Sequence, residues 1–183
     1  MDPKKKFYLF KQANNFCAVP WNHIKVEMDG TITTCVNGKD AIGHLANNSI
    51  EEITTGPVIN EIRSSLYNDI AHKNCKTCIM YEDDTEYKFL RNLYNPMFQH
   101  ADVDYADNKL FKLSAIDLHW SSTCNLKCIT CWAKQSSAIA QEEGKPILHT
   151  PDKQADKIID LILSRQHDLK EIYLSGGEPT LIK

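Results

Sequence analysis

The sequence lacks the features that would place it in a membrane, secreted or nucleic-acid-binding class. No stretch approaches the ~20 consecutive apolar residues that a membrane-spanning helix needs. The basic start, Met-Asp-Pro-Lys-Lys-Lys, is not followed by an apolar segment of secretory length. Its 21 basic and 24 acidic residues give a net charge of −3, which predicts no nucleic-acid or membrane partner. We therefore expect a cytoplasmic protein.

Familiar catalytic motifs are also missing. No Ser/His/Asp set and no phosphate-binding loop stands out. The seven histidines are scattered without metal-ligand spacing, and we interpret even His119, on a predicted strand, as a strand residue. The Asp-rich stretches at 83–84 and 102–107 are interpreted as solvated charge. No residue can therefore be named as a catalytic acid, base or nucleophile.

Cysteine, in contrast, is unusually frequent in this chain. Seven cysteines are an odd number, which argues against a closed disulfide framework. In a reducing compartment, clustered cysteines bind metal more often than they form disulfides. The seven fall into a group of four, Cys17, Cys35, Cys75 and Cys78, and a group of three, Cys124, Cys128 and Cys131.

Hydrophobic periodicity predicts an α/β chain with two parts. Residues 16–36 are typical of a β-hairpin turning at Asp29-Gly30, and 49–67 of a helix interrupted at Gly56-Pro57. Cys75 and Cys78 are predicted in a loop, a helix over 79–94 is predicted to stop at Pro96, and residues 97–110 are predicted to be a polar connector.

The second part has the pattern of a parallel βαβ unit. Strands are predicted at 111–120 and 171–174, with a short helix near 133–143 and an amphipathic helix over 152–165 between them. The apolar side of the longer helix is predicted to hold Ile158, Ile159, Leu161 and Ile162.

The group of three cysteines lies directly after the first of these strands. Cys124, Cys128 and Cys131 have the spacing C-x3-C-x2-C, so that one loop can wrap three corners of an iron–sulfur cubane. Three protein ligands leave one iron open for a substrate or cofactor, by the logic that distinguishes catalytic from structural metal sites. The alternative is a three-cysteine zinc site completed by His119 or another group.

This loop resembles the signature of the radical S-adenosylmethionine (radical SAM) superfamily. A segment similar to that family's Gly-Gly-Glu-Pro motif ends the second strand of the unit, as Gly176, Gly177, Glu178 and Pro179. The resemblance implies that this segment binds the methionyl amine of SAM. It also implies that a 4Fe-4S cluster cleaves SAM reductively to a 5′-deoxyadenosyl radical. One position departs from the family, because Thr130 stands before the third cysteine where an aromatic residue is usual, and Trp132 follows it.

The group of four cysteines sits in an ordered series of motifs. The series runs Cys17-Ala-Val-Pro-Trp21, Asp29-Gly30 to Cys35, Ile42 to Leu45, Ser49 to Ile53, and Cys75-Lys-Thr-Cys78. It resembles the SPASM and twitch auxiliary-cluster modules of radical SAM enzymes, here placed before the radical core. Residues 82–92, including Arg91, resemble the linker of that group. The resemblance implies an auxiliary 4Fe-4S cluster with a full set of thiolates, and a structural zinc ribbon is the alternative.

The resemblance also predicts domain organisation and partners. We expect an auxiliary module at 1–95, a connector at 96–110, and the start of a partial (β/α)6 radical SAM barrel at 111–183. A full (β/α)8 barrel takes about 250 residues, so the chain holds only the opening of such a core. The implied partners are an electron donor such as a ferredoxin or flavodoxin, and a peptide, protein or small polar substrate. An exposed strand edge further predicts a dimer or a partner subunit.

Overall fold

The computed structural model describes residues 1–84 and 90–181. Its helices are α1 (Pro3–Lys11), α2 (Val19–Asn22), α3 (Ile50–Thr55), α4 (Pro57–Tyr67), α5 (Lys76–Asp84), α6 (Leu90–Phe98), α7 (Ser137–Glu142) and α8 (Asp152–Ser164). Its strands are β1 (His23–Val26), β2 (Thr31–Thr33), β3 (Gly43–His44), β4 (Ala115–His119) and β5 (Glu171–Ser175). Short 3-10 turns span Lys73–Cys75 and Pro179–Leu181.

All five strands form one mixed sheet in the order β3-β2-β1-β4-β5. The predicted hairpin is confirmed over 23–33, because β1 and β2 pair antiparallel and Gly30 takes a φ of +88° at the turn. At its start the prediction is wrong, since residues 19–22 form the helix α2. The predicted βαβ unit is also confirmed, since β4 and β5 pair parallel from Ala115↔Glu171 to His119↔Ser175. Between them, β1 pairs parallel with β4, from His23↔Ala115 to Val26↔Leu118. One sheet therefore joins the two cysteine-bearing parts of the chain.

One face of this sheet carries the hydrophobic core. The side chains of alternate residues on β1, β2 and β4 are buried there in a single cluster with residues of α4 and α8. The strand members are Ile24, Val26, Ile32, Ile116 and Leu118, and the helix members include Ile59, Ile62 and Ile158. Burying a side chain of this size contributes roughly 1.5–3 kcal/mol, so this layer fixes the sheet against its helices.

The helix signals at 49–67 are confirmed in detail. Ser49 begins α3 with a capping box, in which its hydroxyl accepts from the Glu52 backbone amide and the Glu52 carboxylate accepts from the Ser49 amide. Gly56 then separates α3 from α4, and Pro57 occupies the first turn of α4, where no backbone donor is required.

A buried arginine connects three segments of the first part. The Arg63 guanidinium, on α4, donates to the Pro20 carbonyl at 2.7 Å and to the Thr54 carbonyl at 2.8 Å. It also donates to the carbonyl of Asn108 at 2.5 Å. Burial lowers the pKa of Arg63 to about 10, which leaves the group charged at neutral pH. Since buried charges need such partners, this contact fixes α2, α3 and the segment before β4 around α4.

Two predictions of local structure are wrong. Cys75 ends a 3-10 turn and Cys78 lies within α5, instead of in a loop. Pro96 lies inside α6 instead of ending a helix. The helix is anchored there by the Asn95 side chain, which accepts from the Ala18 amide at 2.8 Å and donates to the Phe16 carbonyl at 3.1 Å.

The predicted connector and helix face also need correction. Within 97–110, Phe98, Val103 and Tyr105 are buried in the core, and the Tyr105 hydroxyl donates to the Phe98 carbonyl at 3.0 Å. On α8, Ile158 is buried but Ile159 is 45% exposed, so the apolar stripe is narrower than predicted. Residues 85–89, part of the predicted helix over 79–94 and of the linker over 82–92, lie outside the described residues.

No helix within residues 1–84 and 90–181 has both the length and the apolar character needed to cross a membrane.

Buried His23 predicts a pH dependence of stability. Burial lowers its pKa to about 4, while its Nδ1 lies 2.8 Å from the Thr34 carbonyl. Between pH 6.5 and 4 the unfolded chain therefore binds more protons, and stability falls as the pH falls. We expect this group to remove about 2 kcal/mol from the free energy of unfolding between pH 7.5 and 4.5. Chemical denaturation of the wild type and of His23→Asn at both pH values measures it. Equal pH dependence in the two proteins would contradict it.

Candidate metal centres

The four cysteines of the first group line one cavity. Cys17 precedes α2, Cys35 follows β2, Cys75 ends the 3-10 turn, and Cys78 lies on α5. The water-accessible space that they line amounts to about 30 Å³, part of it open to solvent. The hairpin, the N-terminal segment and α5 thus bring together thiols that are up to 61 positions apart in the chain.

The electrostatics of this cavity disfavour free thiolates. Burial, followed by the neighbouring Cys75, raises the pKa of the Cys17 thiol well above its usual value. Burial likewise raises the pKa of Cys35, that of Cys75 to about 12, and that of Cys78 to about 11. A coordinated metal reverses this tendency because its charge holds a thiol ligand deprotonated.

Two amide side chains supply hydrogen-bond donors to the same cavity. Asn37 Nδ2 donates to Cys78 Sγ at 3.8 Å. The buried Asn74 accepts from the Asp40 amide at 2.7 Å through Oδ1, while its Nδ2 has no partner among the described residues. An unpartnered donor beside four thiols fits a sulfide-bearing cluster, because hydrogen bonds to cluster and thiolate sulfurs stabilise their charge. Neither asparagine was predicted from the sequence.

Arg91 brings a positive charge to the wall of this cavity. Its guanidinium pairs with the Glu82 carboxylate and donates to the Asn14 carbonyl. Arg91 lowers the pKa of Cys75 and Cys78, although burial outweighs it at both thiols. This residue therefore favours the thiolate forms that a cluster requires.

The three cysteines of the second group lie on the loop after β4. Cys128 is exposed, and Cys124 and Cys131 are partly exposed. The loop is shaped by local contacts, because Leu126 N donates to Cys124 Sγ at 3.4 Å and Cys131 N donates to the Cys128 carbonyl at 2.9 Å. The accessible thiols, one of which receives a backbone N–H bond, are suited to bind an iron–sulfur cluster.

Two serines at the start of α7 fix this loop from the other side. Ser137 Oγ accepts from the Cys124 amide at 2.9 Å and donates to the Cys124 carbonyl at 2.8 Å. Ser136 Oγ donates to the Leu126 carbonyl at 2.7 Å. The loop is thus bound to α7 at two points, which preorganises the positions of its thiols.

The Gly-Gly-Glu-Pro turn lies directly against the start of the cysteine loop. The Glu178 amide donates to the Thr123 carbonyl at 2.7 Å, one residue before Cys124. A Cβ on Gly177 would lie 2.1 Å from that same carbonyl oxygen, and one on Gly176 would lie 2.2 Å from His119 Cδ2. Gly176 also has a φ of +88°. Only glycine fits at these two positions, so the close approach explains both residues.

The Glu178 carboxylate is partly engaged within its own turn. Its Oε1 accepts from the Thr180 hydroxyl at 2.7 Å and from the Thr180 amide at 3.2 Å. These bonds lower the pKa of Glu178, and the side chain is therefore ionised at neutral pH. An ionised carboxylate beside the cysteine loop can attract an ammonium group.

A row of polar side chains on the second face of the sheet was missed by the sequence reasoning. Glu27 Oε1 lies 2.8 Å from Lys25 Nζ, and its Oε2 lies 2.8 Å from His119 Nδ1. The bond to His119 is the main cause that lowers the pKa of Glu27 to about 2. Nearby, Ser175 Oγ donates to Asp117 Oδ1 at 3.0 Å, although burial still raises the pKa of Asp117. The alternation of polar residues along β1 was the available signal.

Within residues 1–84 and 90–181, no three or more His, Cys, Asp or Glu side chains lie close enough together to hold a metal ion. The thiols of the first group surround a cavity, and His119, the suggested fourth zinc ligand of the second, is bonded to Glu27. The ligand sets of both centres therefore stay predictions.

Two family models match the chain, one over each cysteine group. Residues 17–79 match SPASM, an iron–sulfur cluster-binding domain, and this range contains all four cysteines of the first group. Residues 116–183 match a 4Fe-4S single cluster domain, which contains the other three cysteines and the Gly-Gly-Glu-Pro turn. No curated protein and no solved structure matches the chain. Each cysteine group therefore lies in a segment that matches an iron–sulfur cluster-binding domain, of kinds that occur in radical SAM proteins.

The close approach at Gly177 predicts a severe effect of one added methyl group. Gly177→Ala places Cβ against the Thr123 carbonyl, so the turn must move and the Glu178–Thr123 bond must break. We expect a loss of about 3 kcal/mol in the free energy of unfolding, measured by chemical denaturation. Gly144→Ala is the control, since its Cβ meets open space and costs only about 1 kcal/mol for a φ of +64°. Equal losses would contradict the packing argument.

Proposed function

We propose that this chain is a radical SAM iron–sulfur enzyme, or the N-terminal part of one, with an auxiliary cluster in its first half. The observation that carries the proposal is the 2.7 Å bond from the Glu178 amide to the Thr123 carbonyl. It holds the Gly-Gly-Glu-Pro turn against the three-cysteine loop, which is where a cofactor bridging the two must lie. The match of 116–183 to a 4Fe-4S single cluster domain supports the same placement.

The residues of the second centre take distinct roles in this proposal. Cys124, Cys128 and Cys131 hold three irons of a 4Fe-4S cluster and leave the fourth for the amine and carboxylate of SAM. The Gly177 carbonyl and the ionised Glu178 carboxylate would accept hydrogen bonds from the methionyl amine, with Gly176 and Pro179 shaping the turn. Ser136 and Ser137 keep the loop in place through their bonds to Leu126 and Cys124.

The chemistry comes from the bound groups, and the chain positions them. When bound, the reduced cluster supplies one electron that breaks the C5′–S bond of SAM, giving methionine and a 5′-deoxyadenosyl radical that takes a hydrogen atom from the substrate. The electron comes from a low-potential donor such as a ferredoxin or flavodoxin. A peptide, a protein or a small polar metabolite is the proposed substrate class, by resemblance to enzymes with SPASM and twitch modules.

The four thiols of the first centre are proposed to hold an auxiliary 4Fe-4S cluster. The four thiols line one cavity, and Asn37 and Asn74 present donors to it. The SPASM match over 17–79 favours iron–sulfur over the zinc ribbon. Four thiolates leave no iron open, so this cluster acts in structure or in electron relay.

The outer edge of the sheet supports a further proposal about assembly. On β5, Ile172 and Leu174 are about half exposed, and so are Ile159 and Leu163 on the neighbouring α8. An apolar strand edge of this kind favours pairing. We therefore propose that the chain forms a dimer or binds a partner subunit. Size-exclusion chromatography of the cluster-loaded protein measures the size of the assembly.

Anaerobic reconstitution tests the proposed function. We expect about eight iron and eight sulfide per chain, because two 4Fe-4S clusters are proposed. We also expect release of 5′-deoxyadenosine on addition of dithionite and SAM. Iron without SAM cleavage would instead identify a non-catalytic electron carrier or a remnant enzyme. Zinc without sulfide would identify a zinc-binding interaction module.

Paired cysteine variants separate the two centres. Cys128→Ala should abolish 5′-deoxyadenosine release and leave about four iron, since only the second centre loses a ligand. Cys75→Ala should lose the auxiliary cluster instead while the second centre keeps its iron. Iron and sulfide counts with electron paramagnetic resonance distinguish the two. Retained SAM cleavage in Cys128→Ala would reject the assigned ligands.

A further inference from the structure

A buried histidine lies beneath the glycine turn, and one of its ring nitrogens has no hydrogen-bond partner among the described residues. His119, the last residue of β4, is 3% exposed. Its Nδ1 lies 2.8 Å from Glu27 Oε2, and its Nε2 has no hydrogen-bond partner among the residues that the structure describes. Burying this nitrogen without a partner costs the free energy of its desolvation. Packing alone therefore does not explain the position of the ring.

The ring is in direct contact with the turn. A Cβ on Gly176 would lie 2.2 Å from His119 Cδ2, 2.7 Å from Nε2 and 2.8 Å from the Ser121 carbonyl oxygen. The glycine backbone therefore rests on the imidazole and on the strand end beside it. Any rotation or loss of the ring changes the surface on which the turn sits.

Glu27 determines how that ring is oriented. The residue follows β1 immediately, so it belongs to the hairpin of the first part, 92 positions from His119 in the chain. Its other oxygen is held by Lys25 at 2.8 Å, which limits rotation of the carboxylate. An ionised carboxylate on Nδ1 fixes both the tautomer and the tilt of an imidazole, as in the carboxylate–histidine pairs around metal ligands.

The contacts form a continuous path between the two parts of the chain. Glu27 holds His119, and His119 supports Gly176. The next residue, Gly177, packs on the Thr123 carbonyl, which also accepts from the Glu178 amide just before Cys124. We propose that the Glu27–His119 pair is a positioning device. Through it the hairpin of the first part sets the Gly-Gly-Glu-Pro turn in the geometry that binds the SAM amine.

This inference rests on the proposed function for the identity of the ligand, but not for the contact itself. Two measurements are therefore needed on the full chain with its clusters loaded. The first is the dissociation constant of SAM, followed by the change it causes in the paramagnetic resonance of the reduced cluster. The second is hydrogen–deuterium exchange at the Glu178 amide, which reports the turn without any ligand.

The informative variants are Glu27→Ala, His119→Ala and the double variant. Each single variant should weaken SAM binding about tenfold and speed exchange at Glu178, with the iron content unchanged. Because the two residues act through one contact, the double variant should be no weaker than either single variant. Unchanged affinity and exchange in either single variant, or additive losses in the double variant, would overturn the proposal.

Two further variants separate positioning from general stability. Glu27→Gln keeps an acceptor for Nδ1 and should restore most of the affinity lost in Glu27→Ala. His167→Ala removes an exposed histidine at a distance and should leave both readouts at wild-type values. Faster exchange across all core amides in His119→Ala and Glu27→Ala, without rescue by Glu27→Gln, would indicate a merely structural role. If the wild type binds no SAM, the proposed function fails, and exchange at Glu178 still decides the present inference.

Discussion

The parallel pairing of β1 with β4 is the constraint on which the arrangement of this protein depends. Four register pairs, His23↔Ala115 through Val26↔Leu118, join a hairpin from the first part to the first strand of the second. Parallel strands present their carboxyl ends at one edge, and ligands bind at such edges in open α/β sheets. The pairing therefore places Glu27, His119 and the cysteine loop side by side.

The two faces of the shared sheet carry different side chains, apolar on one face and polar or charged on the other. One face buries Ile24, Val26, Ile116 and Leu118 against α4 and α8. The other carries Lys25, Glu27, Asp117 and His119. Glu27 contacts both Lys25 and His119, and Asp117 accepts a hydrogen bond from the Ser175 hydroxyl. Because side chains alternate along each strand, a shift of one residue would exchange the two faces. The same strand register therefore places the apolar side chains in the core and lines up Lys25, Glu27, Asp117 and His119 on the opposite face.

Local features were readable from the sequence, and long-range ones were not. The Ser49 capping box, the Gly56-Pro57 break and the Asp29-Gly30 turn depend on neighbours within a few residues, and all three were predicted. The cysteine groups were also predicted, since spacing alone separates them. The β1–β4 pairing and the burial of Tyr105 require contacts across some ninety residues, which periodicity does not encode. Asp117 was missed and His119 was interpreted as a strand residue for the same reason, because only the sheet gives them partners.

The buried guanidinium of Arg63 has a consequence for the order in which the protein matures. It gathers α2, α3 and the segment before β4 through backbone carbonyls alone, and one of these, Pro20, lies three residues from Cys17. The frame around the first cavity is thus tied together by protein groups and does not depend on iron for these links. We therefore expect the proposed auxiliary cluster to bind after these segments have packed around Arg63.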